Sequence, residues 1–114
     1  MTGYKRGDIV LVNFNPQKKA EEIGKTRPAI IISDTQLNDI LDLVSVIALS
    51  TNLIENSEPL RIRIKKRENL QEDSDAMIEQ LRSISKSRIG NKIASLDTEE
   101  IEKIELGIKA MLCL

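Results

Sequence analysis

The run Ala29-Ile30-Ile31-Ile32 constrains this chain more than any other stretch. Four consecutive apolar residues leave no polar face, so they read as a strand buried on both sides. Pro28 stands directly before the run. The residue ahead of a proline is pushed out of the helical region, so Arg27 must enter the strand extended. A polar stretch ending in Gly24-Lys25-Thr26 precedes it. Arg27 is therefore expected where a mobile loop meets a rigid strand, a place that can hold a cation against an anionic substrate. An exposed arginine without a role would read the same way in isolation, so the flanking segments decide.

Residues 8–14 alternate weakly and are rich in Ile and Val, which reads as a strand opened by a turn at Gly7 and closed by Asn15-Pro16. Residues 17–26 have no hydrophobic period and carry Lys18, Lys19, Glu21, Glu22 and Lys25. They read as a long exposed loop between two strands, and loops of that length in small domains are often functional. Residues 34–42 are a polar turn region with a helical turn through Leu37 and Ile40. A second apolar run, residues 43–49, should be a central strand, and it leads straight into Ser50-Thr51-Asn52. Hydroxyls at a strand end usually satisfy turn backbone groups and less often face a ligand. Ser50 and Thr51 point to opposite faces, so only one can serve a given site.

Leu60-Arg61-Ile62-Arg63-Ile64 alternates strictly apolar and basic. Arg61 and Arg63 then sit about 7 Å apart on one face, a spacing that suits neighbouring phosphates and equally a solvated edge strand whose charge deters aggregation, and the edge strand is the preferred reading. Residues 65–73 form a charged loop. Residues 75–84 read as the last strong strand, with polar groups on both faces, among them Glu79, Gln80 and Arg82. Ser85 can cap a short helix that Gly90 ends, and residues 93–96 form a short extended piece. Asp97 and Glu100 have capping-box spacing and open a helix over residues 98–112. Its apolar stripe is Ile101, Ile104, Ile108, Met111 and Leu112. Gly107 interrupts that helix at about 1 kcal/mol relative to alanine and allows close packing. A strand-rich first two-thirds and one amphipathic C-terminal helix predict a mainly β fold, a small β-barrel with helices, as one domain over residues 1–114.

Composition removes several classes of function. Tyr4 and Phe14 are the only aromatic residues, so no extensive stacking platform for bases can be built. The chain has no histidine, which removes the commonest general base and metal ligand. Cys113 is the single cysteine, so an internal disulfide and a zinc–cysteine cluster are excluded. The carboxylates form no cluster at ligand spacing, and no metal or other cofactor is expected. No signal peptide or membrane-length apolar run is found, which makes a cytoplasmic protein the expectation. A net charge of −1 argues against a bulk polyanion binder. The charge is uneven, however: residues 61–92 carry nine Lys and Arg against five Asp and Glu, whereas residues 93–105 carry five acids against Lys103 alone. A basic face and an acidic helix fit local phosphate binding.

Three stretches in order carry a family resemblance. They are Arg6-Gly7-Asp8-Ile9-Val10-Leu11-Val12-Asn13-Phe14-Asn15-Pro16, the Thr26-Arg27-Pro28 strand start, and Asp73-Ser74-Asp75-Ala76-Met77-Ile78-Glu79-Gln80-Leu81-Arg82-Ser83-Ile84. Together they resemble the MazF/PemK family of bacterial toxins, small sequence-specific endoribonucleases, from about residue 4 to the end. The resemblance implies an SH3-like barrel, a homodimer with its RNA site near the subunit interface, and a cognate MazE-like antitoxin whose disordered acidic segment blocks that site. It places Arg27 on the scissile phosphate as electrostatic stabiliser, with proton donation a second role that an arginine fills reluctantly. The family's strand-end threonine aligns most simply with Ser50, but Thr51 follows at once, so the choice stays open. Lys18, Lys19, Glu22, Lys25, Asn52, Glu79, Gln80 and Arg82 are the implied contacts to single-stranded RNA. The loop is one residue longer than the common pattern, which leaves Glu21 as an alternative to Glu22. One branch of the family pairs an acid at the Glu79 position with an arginine two residues earlier. Met77 stands there, which weakens Glu79 as a lone general base. Products would be a 2′,3′-cyclic phosphate and a 5′-hydroxyl. Two rivals fit less well: a CcdB-like gyrase poison on the same fold, which needs no catalytic arginine, and an SH3-like peptide-binding module, which needs an aromatic groove.

Overall fold

Strand β2 (Thr26–Ile31) lies inside an antiparallel sheet, with β1 (Asp8–Asn13) on one side and β3 (Leu43–Ser50) on the other. The computed structural model describes residues 3–14 and 26–114. Its other elements are α1 (Thr35–Ile40), β4 (Arg61–Ile64), β5 (Ser74–Met77), β6 (Arg82–Ser85), β7 (Ile89–Ser95) and α2 (Thr98–Leu112). The strand order is β4-β5-β3-β2-β1-β7, and β6 also pairs with β3. Gly7, at φ 94°, makes the turn into β1. A side chain there would also meet the end of the Ile101 side chain of α2 at 2.9 Å, a contact that isoleucine can relieve by shifting, so it is the backbone of the turn that favours glycine.

Alternation divides the apolar residues between the two faces of the sheet. Ile9, Ile30, Ile47, Leu49, Ile62 and Ile64 face α2 and its buried Ile104. Val10, Val12, Ala29, Ile31, Val44 and Val46 form a second cluster on the opposite face, edged by Tyr4, Phe14 and Ile89. Ala29, Ile30 and Ile31 are each 0% exposed, as a strand covered on both faces must be. The mainly β class with a C-terminal amphipathic helix is as expected. Closure differs: among the described residues β4 and β7 end the strand path unjoined, and α2 packs on β4 instead.

Two further expectations are corrected. Residues 75–84 are not one strand. β5 stops at Met77, a 3-10 turn spans Ile78–Gln80, and β6 begins at Arg82. Both strands pair with β3, in the registers Ser50↔Asp75 and Val46↔Arg82. Between those pairs the facing chain holds three residues more than β3, and the turn takes them up. Ile78 anchors the turn at 0% exposure, while Glu79 and Gln80 are exposed. The second correction concerns Gly90, which does not end the short helix. The 3-10 helix Lys86–Arg88, capped by Ser85 as expected, gives way at Ile89 to β7, and Gly90 lies within that strand.

The C-terminal helix is as the sequence predicts. Asp97 accepts from the Glu100 amide at 2.8 Å, and Glu100 returns the bond to the Asp97 amide at 3.0 Å. Arg67 grips the Glu100 carboxylate with two nitrogens, one at 2.6 Å, and ties this helix start to the 65–73 loop. That carboxylate raises the Arg67 pKa above its ordinary range, against a smaller opposing effect of burial. The stripe is narrower than expected: Ile104 and Gly107 are buried, while Leu112 is exposed. No helix among the described residues is long and apolar enough to cross a membrane.

Candidate functional site

The site is built on sheet register. Arg27 is the second residue of β2 and pairs with Val12, a member of the cluster on the face away from α2. Its side chain therefore leaves on that face, beyond Ala29 and Ile31. The β2–β3 register runs Ile31↔Val46, Ile30↔Ile47, Ala29↔Ala48. The pairing ends there; by alternation Arg27, two residues before Ala29, and Ser50, two residues after Ala48, leave on the same face at adjoining strand ends. Ser50 in turn pairs with Asp75, and Asp75 with Arg63. Ser50, Asp75 and Arg63 thus form one row across β3, β5 and β4, with neighbouring strands about 5 Å apart, and Arg27 leaves on the same face of the sheet. Arg27 is exposed, and its side chain makes no hydrogen bond or ion pair to another described residue.

The same register separates the two hydroxyls. Ser50 lies on the Arg27 face, where its Oγ accepts from the Asn52 amide at 3.1 Å. Thr51 follows the strand end and lines a cleft of about 310 Å³ with Leu11, Pro28, Leu70, Ser74 and Ile93, which belong to the other face. Asn52 is exposed beside Ser50. Arg82, opposite Val46, also lies on the Arg27 face and stands 5.3 Å over the Phe14 ring, a cation–π contact. Glu79 and Gln80 are exposed on the 3-10 turn, and Glu79 already holds Arg61 at 3.3 Å. Lys18, Lys19, Glu22 and Lys25 lie outside the described residues. No group of three or more Cys, Asp or Glu among the described residues is placed to hold a metal ion.

Sequence reasoning missed one member of the row. Asp75 is 1% exposed, yet both its oxygens are engaged. One accepts from Arg63 Nε at 2.6 Å and the other from the Ile54 amide at 2.8 Å. Arg63 adds Glu55 at 3.2 Å and the Ile54 carbonyl at 3.4 Å. The Asp75 hydrogen bond, more than Glu55, raises the Arg63 pKa above its ordinary range. The available signal was a carboxylate in a short apolar strand beside a strand of alternating arginines.

An open antiparallel sheet with one C-terminal helix, carrying an arginine and a serine on one face at adjoining strand ends, defines a small β-protein with a polar face. Residues 5–112 match the family described as PemK-like, MazF-like toxin of type II toxin–antitoxin system, and the chain belongs to that family. A protein named endoribonuclease EndoA, from Bacillus subtilis, is 30% identical over 111 residues, covering 96% of this chain and 95% of that one. MazF from Deinococcus radiodurans superposes with a TM-score of 0.77 at 18% identity, over 100% of this chain and 99% of that chain. A mycobacterial endoribonuclease, solved with its cognate antitoxin, gives 0.75 at 16% identity, over 100% and 97% of the two chains. These structural likenesses speak for the fold.

Proposed function

We propose that this toxin is a sequence-specific endoribonuclease that cuts single-stranded RNA, mRNA above all, to 2′,3′-cyclic phosphate and 5′-hydroxyl ends. Family membership and the relative named an endoribonuclease support the activity. The observation that supports the chemistry is the Ala29↔Ala48 pair, from which alternation leaves Arg27 and Ser50 on one face at adjoining strand ends. RNA brings its own nucleophile. The 2′-hydroxyl attacks the adjacent phosphorus, the 2′-proton passes to a base or to solvent, and the bond from phosphorus to the 5′-oxygen breaks as that oxygen gains a proton. Negative charge grows on the non-bridging oxygens, and a preorganised guanidinium beside them lowers the barrier. Ser50, whose Oγ accepts from Asn52, keeps its own hydrogen for a phosphate oxygen. This route needs no metal-bound water and no histidine.

Asn52 and Arg82 border the same face and are assigned to the RNA, as are Lys18, Lys19, Glu22 and Lys25 of the loop ahead of Arg27. Gln80 is exposed and stays a candidate base contact. Glu79 is a weaker one, since Arg61 already occupies it. The protein works as a cytoplasmic homodimer, and a MazE-like antitoxin covers the basic face, as the antitoxin-bound mycobacterial relative suggests. The test is cleavage of a long unstructured RNA in EDTA, with product ends mapped. Discrete cuts with cyclic phosphate ends are expected. Intact RNA from folded protein would refute the reading and direct attention to DNA gyrase.

A further inference from the structure

A charged carboxylate at 1% exposure is costly unless it is paired, and apolar side chains fill such positions at least as stably. Asp75 sits in that position, and it spends both oxygens on groups outside the core. One oxygen holds the Ile54 amide and the other Arg63, whose guanidinium returns to the Ile54 carbonyl and to Glu55. Ile54 is thus gripped on its N–H and on its C=O from one buried point. Ser57 Oγ donates to the same carbonyl at 2.7 Å. The far end of the segment is fixed too, because Pro59 rests against α2 at Gly107. Residues 51–60 therefore leave Ser50 as a braced loop with an apolar surface: Leu53 is 39% exposed and Ile54 44%.

Resting on the ribonuclease reading, we infer that Asp75 is a positioning residue for specificity. Acting through Arg63 and Ile54, it holds Leu53 and Ile54 beside Ser50, where they form the apolar wall that selects a base next to the scissile phosphate. Asp75 is the direct cross-strand neighbour of Ser50, so the wall and the phosphate site share one strand pair. A braced apolar wall discriminates between bases by fit, which loosens when the brace is removed.

The experiment compares Asp75→Asn, Arg63→Met and Leu53→Ser/Ile54→Ser with the unaltered toxin. It reads kcat and KM on one preferred RNA and the set of cut sites on a long RNA. Arg63 lies on the edge strand, so Arg63→Met carries the test if Asp75→Asn does not fold. A rise in KM of about tenfold with kcat held within about threefold is expected, together with cuts at new sequences that differ at one and the same motif position in all three variants. Arg63→Lys, which retains the charge, should recover part of the original cut set. Unchanged KM and cut sites in folded Arg63→Met protein would overturn the inference and leave the ribonuclease reading standing. Loss of kcat with the motif intact would overturn it equally. An unaltered toxin that cuts no RNA would remove both.

Discussion

Ser50 has one hydroxyl and two demands on it. Its oxygen closes the turn after β3 by accepting from Asn52, and its hydrogen remains for a phosphate oxygen. Thr51 lines the cleft on the other face. Ser50→Ala should therefore slow RNA cleavage by about ten- to a hundredfold, as the loss of one donor to a developing oxyanion does. Thr51→Ala should leave the rate within about threefold, and Ser50→Thr should keep most of the activity. Initial rates on one defined RNA decide, and equal losses in the two alanine variants would contradict the assignment. At this scale the sequence was legible where neighbours in the chain sufficed. Pro28 forces Arg27 into an extended conformation, and alternation says that Ser50 and Thr51 part company. Which of the two meets Arg27 depends on the β2–β3 register, and the partners of Asp75 depend on strands distant in the chain. Local pattern carries neither.

The elements that form as expected are those whose signals are local. The Asp97–Glu100 capping box starts α2, and the apolar run of residues 43–49 becomes the central strand. The strand read over residues 75–84 breaks because β3 receives β5 and β6 in different registers, a demand made by the partner strand and invisible in the segment. Gly107 belongs to this scale as well. On propensity alone, Gly107→Ala should strengthen α2 by about 1 kcal/mol. A Cβ there would stand 2.5 Å from the Pro59 carbonyl oxygen and 3.2 Å from Ile78, and the nearer atom is backbone. The clash outweighs the propensity gain, so net destabilisation of about 1–3 kcal/mol is expected. Thermal melting reads the sign, and a raised Tm in Gly107→Ala would show that the loop yields where the packing says it cannot.

In the whole molecule, the two sides of one sheet divide the work. The side facing α2 holds the larger apolar cluster and carries stability. The other side carries Arg27 and the row Ser50, Asp75 and Arg63, flanked by Arg82. A net charge of −1 conceals this division, because the acids gathered on α2 offset the basic residues elsewhere in the chain. The family was legible from the order of three motifs; the open sheet was not, because closure depends on how the two outermost strands meet. The most direct measurement is single-turnover cleavage of a defined RNA by Arg27→Ala beside the unaltered toxin, with melting curves for both. The Arg27 side chain is exposed and unbonded to other described residues, so the variant should melt within about 2 °C of the parent. Its cleavage rate should fall by at least about a hundredfold. A folded Arg27→Ala protein that cuts at close to the parental rate would contradict the account.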